Sequence, residues 1–202
     1  MNPRLVMTNP PSLLRVFEQI DRVNAADPRL VECDGRQLPF ELVYGHRMSA
    51  CLDGYEPRSS EALQVAARGH HIARFEVPRI HYPEGRSGYL QWRTFLYRFH
   101  ADRVAELMGE NGYERAMIER VRTLIQKRGI KTDPEVQILE DVICLVFLST
   151  ELDAFSAKHP KEKVVDILQK TWSKMSKRGQ QAALALPLSS VALSLIQKAL
   201  RG

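Results

Sequence analysis

The chain has 202 residues, of which 44% are apolar, 29 are Lys or Arg and 24 are Asp or Glu. This balance is typical of a globular protein and excludes a disordered or fibrous chain, while the net charge of +5 favours anionic partners such as phosphate esters or nucleic acid. No stretch approaches the roughly 20 apolar residues that cross a bilayer, and the N-terminus lacks the apolar core of a signal peptide. We therefore expect one cytoplasmic domain over residues 1–202 with no membrane partner.

Apolar residues recur at helical spacing along the first third of the chain. The predicted helices are "LLRVFEQIDRVNAA", "FELVYGHRMSACLDGY" and "EALQVAARGHHIARF". The segment between the first two, "DPRLVECDGRQLP", contains Pro and Gly and is predicted to be a loop. Two adjacent histidines, His70 and His71, fall within the third predicted helix.

A segment rich in Pro and Gly, "EVPRIHYPEGRSG", interrupts the helices over residues 76–88 and is predicted to be a long ordered loop, a kind of segment that often carries function. After it come "YLQWRTFLYRFHADRVAELMGENG", "ERAMIERVRTLIQKRG" and the most apolar helix, "PEVQILEDVICLVFLSTELDAF". Two further helices follow, the last over residues 189–201. Because no alternating strand pattern of useful length occurs, we predict an all-α bundle of about seven or eight helices with its core in residues 12–178.

An acidic pair, Glu140 and Asp141, lies within the most apolar helix. Burying a carboxylate costs several kcal/mol unless it is paired or binds a metal. The candidate cationic or metal-sharing partners are His46, His70, His71, Lys127 and Arg128. Imidazole and carboxylate ligands together suit a first-row divalent metal. The competing explanation of the acidic pair is an ion pair with Lys127 or Arg93.

Three segments in this order resemble the HD superfamily of metal-dependent phosphohydrolases: "VYGHRMSACL", "VAARGHHIARF" and "ILEDVICLVFL". In that superfamily one His comes from a first helix, a His-Asp pair from the next, and a final Asp from a later central helix. The segments "YPEGRSGYLQWR" and "KTWSKMS" also resemble a bacterial and fungal branch, the domain of unknown function 4202, from about residue 12 onward.

The HD resemblance implies a metal site whose ligands are His46, His70, His71 and Asp141. His71 stands where the superfamily has Asp, and because His normally binds one metal, the site is expected to hold a single divalent ion such as Mn, Fe, Co, Ni or Zn. Glu140 and Lys127 are the catalytic candidates, with Glu140 either orienting a ligand His or acting as general base toward metal-bound water.

A phosphate ester also requires cations that bind its oxygens. The candidate substrate-binding residues are the cations Arg74, Arg79, Arg86 and Arg93 and the stacking aromatics Tyr82 and Trp92. The leading hypothesis is therefore a metal-dependent phosphohydrolase for a small phosphorylated compound, with nucleotides among the candidates. The alternatives are a metal- or anion-binding sensor without turnover and an RNA-associated binding module.

Overall fold

Helices dominate residues 11–201, the part of the chain that the computed structural model describes, and the predicted all-α class is confirmed. The described helices are α1 (Pro11–Asn24), α2 (Phe40–Tyr55), α3 (Glu61–Arg68), α4 (Gly85–Glu110), α5 (Arg115–Ile125), α6 (Pro134–Val146), α7 (Leu152–Ala157), α8 (Lys161–Lys174), α9 (Lys177–Leu184) and α10 (Ser190–Arg201). Among the described residues, no helix combines the length and apolarity required to cross a membrane. The segment 1–10, for which we predict no signal peptide, lies outside the described residues.

A β-hairpin occupies the segment between α1 and α2, where the sequence predicted a loop. Its strands, β1 (Leu30–Cys33) and β2 (Arg36–Pro39), pair antiparallel with Leu30 opposite Pro39. Asp34 and Gly35 form the connection with φ angles of 50° and 74°. A two-residue turn of this kind needs positive φ at both positions, which Asp and Gly tolerate. The loop prediction was therefore wrong for these eight residues.

The third helix ends earlier than predicted, so His70 and His71 are not helical. α3 stops at Arg68, and Gly69 follows as its C-cap with its N–H bonded to the carbonyl of Val65. A Cβ atom at Gly69 would lie 2.4 Å from Cγ2 of Val104 in α4, so only glycine allows this close approach. The two histidines consequently lie in the turn between α3 and the 3₁₀ turn Arg74–Glu76.

The chain divides into two compact units, and α2 contributes residues to both. The first unit comprises residues 11–46 and 60–126 of the described chain, in which α1 packs on α3 and α4, and α5 packs on α3 and α4. Its buried side chains include Val16, Ile20, Leu63, Ile72 and Met108. The prediction of a single domain stays a prediction.

The second unit comprises residues 47–59 and 127–201 of the described chain. In it α6 packs on α8 and α9, and α10 packs on α7 and α8. One apolar cluster holds these helices together and includes Leu145, Leu148, Leu152, Leu168 and Ile196. Between α6 and α7 the helix continues through a π-helical turn, Phe147–Glu151, so the predicted long apolar helix is present with one irregular turn.

Candidate functional site

The imidazole of His71 lies between a carboxylate and a guanidinium in the first unit. Its Nδ1 is 3.6 Å from Oε2 of Glu41, and its Nε2 is 3.1 Å from Nη1 of Arg74. An arginine N–H can only donate, so Nε2 accepts and the ring proton is on Nδ1, facing Glu41. One fifth of the His71 side chain is exposed.

Glu41, in the first turn of α2, is fully buried. Its Oε1 accepts a 2.5 Å hydrogen bond from Nη2 of Arg29, whereas its Oε2 has no hydrogen-bond partner among the described residues. Burial raises the pKa of Glu41 to about 7, although the positive charges of Arg74 and Arg29 oppose this shift. Above about pH 7 Glu41 is a carboxylate, and its unoccupied Oε2 faces the Nδ1 proton of His71, so Glu41 is suited to orienting this imidazole.

Two further rings pack around His71. The Tyr44 ring stacks on it with centroids 4.3 Å apart, and the His70 ring stacks with centroids 4.6 Å apart. Burial, followed by the positive charge of Arg74, lowers the pKa of His71 well below 6.5. At neutral pH the His71 imidazole is therefore uncharged, and its Nε2 lone pair can accept a proton once the hydrogen bond from Arg74 is released.

His100 in α4 adds a second neutral imidazole to this group. Its ring centroid is 5.8 Å from that of His71, and its Nδ1 is 2.8 Å from the carbonyl oxygen of Ile72. The Nε2 of His100 is buried with no hydrogen-bond partner in the described part of the chain. Burial, with a contribution from Arg74, lowers the pKa of His100 to about 3.

Two guanidinium groups supply positive charge beside these imidazoles. Arg74 lies over the Trp92 ring, 4.7 Å from its centroid, and Arg93 donates hydrogen bonds to the hydroxyls of Tyr89 and Tyr97. Both side chains are only partly exposed, and neither forms an ion pair with a carboxylate of residues 11–201. Burial, with the charge of Arg93 also contributing, lowers the pKa of Arg74.

His46 makes its contacts elsewhere in the first unit. Its side chain is 54% exposed, and its Nε2 lies 3.2 Å from Oδ2 of Asp21. The same carboxylate accepts two hydrogen bonds from the guanidinium of Arg68. Asp21 is thus shared by Arg68 and His46 in a surface ion-pair group.

Asp141, in the second unit, is the acceptor at the centre of a hydrogen-bond network. Its Oδ1 accepts from Nε2 of Gln137 at 3.1 Å and from the backbone N–H of Ser176 at 2.8 Å. Its Oδ2 accepts from the hydroxyls of Tyr55 at 2.8 Å and Ser176 at 2.5 Å. These contacts connect the end of α2, α6 and the start of α9, so the network fixes the local packing of this unit.

Glu140, the neighbour of Asp141, forms the ion pair that the sequence left open. Its Oε2 is 2.5 Å from Nζ of Lys127, and Lys174 lies 4.0 Å from Oε1. The Glu140 side chain is 4% exposed and that of Lys127 is 11% exposed. The lysine supplies the charge that a carboxylate in an apolar helix requires. Catalytic roles for Glu140 and Lys127 stay predictions.

The prediction of a loop over residues 76–88 was wrong for residues 85–88, because α4 begins at Gly85. The cations and aromatics of this segment make mainly internal contacts. Arg79 donates to the carbonyls of Tyr82, Pro83 and Gly85, which closes the loop on itself. Tyr82 packs near Phe95, with ring centroids 6.3 Å apart, and Arg86 is exposed. Substrate contacts of Arg79, Tyr82 and Arg86 stay predictions.

Trp92, also predicted to bind substrate, is 9% exposed and donates from Nε1 to the carbonyl of Val77 at 2.8 Å. Because Arg74 already covers one face of its ring, Trp92 supports the guanidinium in this structure.

A family model described as "Domain of unknown function (DUF4202)" matches residues 14–196. The chain belongs to this family. The match spans the residues around His71 as well as those around Asp141. No curated protein matches the chain, and no solved structure matches it.

In this DUF4202 chain the four residues predicted to bind a metal make separate sets of contacts. His70 and His71 stack on each other, His46 pairs with Asp21, and Asp141 accepts hydrogen bonds within the second unit. Across residues 11–201, no three His, Cys, Asp or Glu side chains are grouped so as to hold a metal ion. Metal binding by these residues stays a prediction.

Sequence reasoning missed Glu41 and His100 as members of the group around His71. His100 carried a usable signal, because it continues a buried stripe of α4 at four-residue spacing after Trp92 and Leu96. A polar residue on such a buried stripe needs a hydrogen-bond partner in the interior. Glu41 carried no signal, since an acidic residue in the first turn of a helix is ordinary.

Proposed function

We propose that the protein hydrolyses a small phosphorylated compound, with Arg74 and Arg93 binding the phosphoryl group and His71, oriented by Glu41, acting as general base. The observation that carries this proposal is the position of one neutral imidazole between a buried carboxylate and a guanidinium that has no carboxylate partner in residues 11–201. A buried carboxylate that orients an imidazole is a recurring arrangement in hydrolases.

The arginines favour a phosphoryl ligand. A partly buried guanidinium without a counter-ion has lost much of its hydration, so an anion that enters beside it gains a strong, charge-assisted contact. The planar fork of a guanidinium matches two oxygens of a phosphate. Trp92 holds Arg74 from the other face, which limits the side-chain entropy lost when the ligand binds.

The proposed reaction balances with one water and no other reactant. The water oxygen attacks phosphorus while Nε2 of His71 accepts the proton of the water, and the bond from phosphorus to the ester oxygen breaks. His71 then returns the proton to that oxygen, and Glu41 stabilises the transient imidazolium through Nδ1. Arg74, which donates to Nε2 before the ligand binds, moves its hydrogen bond to the phosphoryl oxygens.

The resemblance of the segments around His46, His71 and Asp141 to the HD superfamily supports the reaction class. The contacts favour a different set of catalytic and binding residues from the set that the resemblance implies, because Glu41 and Arg74 lie beside His71. No step of the proposed reaction passes through a metal.

The test is phosphate release from a panel of phosphomonoesters and nucleotides, measured with EDTA and with added Mn, Fe, Co, Ni or Zn. His71→Gln is expected to lower kcat by about 100-fold or more, the usual contribution of a general base. His46→Gln is the discriminating variant. His46→Gln leaves turnover unchanged if Glu41 and His71 catalyse the reaction. It abolishes turnover if the reaction depends on the predicted metal ligands.

One observation favours a second candidate, an anion sensor without turnover. The hydrogen bond from Arg74 occupies the lone pair of His71 that a general base needs. A sensor would bind inorganic phosphate with an affinity that depends on Arg74, yet release no phosphate from any compound in the panel. RNA binding that weakens steeply with salt and survives Arg74→Gln would instead favour the nucleic-acid partner predicted from the charge.

A further inference from the structure

Asp27 and Arg29, in the segment between α1 and the β-hairpin, hold Glu41 in place. Asp27 is 3% exposed and accepts hydrogen bonds from the backbone N–H, Nε and Nη2 of Arg29, at 3.0, 3.2 and 2.9 Å. It also accepts from the backbone N–H of Glu41 at 3.1 Å. The Arg29 guanidinium is thereby fixed side-on against one carboxylate while its Nη2 reaches Oε1 of Glu41 at 2.5 Å.

This arrangement makes the two oxygens of Glu41 unequal. Oε1 is occupied by Arg29, and Oε2 faces Nδ1 of His71. Arg74 is close enough for its charge to lower the pKa of Glu41. A Glu41 carboxylate released from Arg29 would gain most by forming an ion pair with Arg74, because that guanidinium has no carboxylate partner within residues 11–201.

We propose that Arg29 is a positioning residue, which keeps Glu41 directed at His71 and prevents it from occupying the anion-binding guanidinium of Arg74. This inference rests on the proposed function in so far as Arg74 binds a phosphoryl group. Arg29 touches neither the ligand nor His71, and it acts through Glu41 alone.

Arg29 is well suited to substitution. Its side chain is 53% exposed and lies over the Phe40 ring, 4.8 Å from the centroid, so shortening it opens no cavity. Arg36 lies in β2 of the hairpin and is exposed. Arg36→Gln removes one positive charge, as Arg29→Gln does, but from the adjacent hairpin and without touching Glu41, so it serves as the matched control.

The first measurement is the tautomer of His71, read from the ring nitrogen shifts of protein labelled with ¹⁵N-histidine, without any ligand. The wild type and Arg36→Gln are expected to carry the proton on Nδ1. Arg29→Gln is expected to give a mixture of tautomers, and Arg29→Lys, which restores a cation beside Oε1, is expected to recover the Nδ1 form in part. An unchanged His71 spectrum in Arg29→Gln would overturn the proposal.

If Arg29→Gln does not fold, the comparison of Arg29→Lys with the wild type decides, since Lys cannot repeat the side-on contact with Asp27.

The second measurement is the affinity for inorganic phosphate. Arg29→Gln is expected to weaken binding about tenfold, the equivalent of one charged hydrogen bond. The double variant Arg29→Gln/Glu41→Gln is expected to bind phosphate as tightly as Glu41→Gln alone, because the competing carboxylate is gone. If Arg29 had only a structural role, the double variant would bind phosphate as weakly as Arg29→Gln. That result would contradict the proposal. If the wild type binds no phosphate, the proposed function fails, whereas the tautomer measurement still decides the role of Arg29.

Discussion

Replacing Asp141 with Asn tests whether this carboxylate is a structural acceptor or a metal ligand. The four hydrogen bonds to Asp141 come from three side-chain donors and one backbone N–H. Each charged bond contributes about 1.5–3 kcal/mol and each neutral one about 0.5–1.5 kcal/mol. Relief of the buried charge offsets part of the loss. We therefore expect Asp141→Asn to lower the free energy of unfolding by about 2–3 kcal/mol.

Urea denaturation followed by circular dichroism measures this change. With a urea slope of about 2 kcal/mol/M, the midpoint is expected to fall by about 1–1.5 M. Asp53→Asn makes the same substitution at an exposed position of α2 and is expected to leave the midpoint within about 0.25 M. The midpoints of both variants and the wild type should not change with EDTA. A metal ligand behaves otherwise, because metal stabilises the folded state by mass action. A structural role of Asp141 is refuted if the midpoint of Asp141→Asn matches that of Asp53→Asn, or if EDTA lowers the wild-type midpoint to that of Asp141→Asn.

Gly179, His100 and Trp92 each have surroundings whose contribution to stability can be measured by substitution. Gly179→Ala places a Cβ atom 2.5 Å from Cγ of Asp141 and is expected to lower the free energy of unfolding by about 1–3 kcal/mol. Gly54→Ala is the control, because the space around its Cβ position is open. In the same denaturation assay it is expected to be neutral or stabilising. His100 has a pKa of about 3 when folded and about 6.5 when unfolded. Its contribution to the free energy of unfolding is therefore full above pH 6.5 and is lost as the pH falls toward 3, with a loss of about 2 kcal/mol at pH 5. His100→Asn should flatten the measured dependence of the unfolding free energy on pH. An unchanged dependence on pH would contradict the burial of a neutral ring. Trp92→Phe removes the hydrogen bond to Val77 and is expected to cost about 1–2 kcal/mol in thermal unfolding, while a cost near zero would show that the indole N–H is not bonded as described.

Local sequence signals predicted much of the helical structure. The bounds of α2 follow from Pro39 before it and from Gly54 near its end, and the most apolar helix proved to be buried in its unit. The hairpin was missed because each strand has four residues, too few to show alternation, although "DG" at residues 34–35 is a recognised hairpin signal. α3 was predicted too long because one glycine inside a helical pattern is tolerated, and the contact that excludes a side chain at Gly69 comes from α4.

The candidate site was predictable only in part, for a physical reason. The resemblance to the HD superfamily singled out His71, and their charge together with their expected place around the pocket singled out Arg74 and Arg93. Glu41, whose carboxylate faces Nδ1 of His71, is 30 residues away from it in the chain. The burial of Glu41 arises from tertiary packing. Asp141 was singled out correctly as a buried carboxylate in need of partners, but neutral donors can satisfy such a group as well as a metal does. Tyr55, Gln137 and Ser176 are too ordinary in sequence to reveal that role.

The measurement that tests the central claim most directly is the binding of inorganic phosphate by calorimetry to the wild type, Arg74→Gln and Arg98→Gln. Arg98 lies on the exposed face of α4 and serves as the charge-matched control. We predict that Arg74→Gln weakens phosphate binding by tenfold or more, about 1.4 kcal/mol, and that Arg98→Gln leaves it unchanged. Equal affinities of Arg74→Gln and the wild type, or equal losses in both variants, would contradict the assignment of the His71 and Arg74 group as the phosphoryl site.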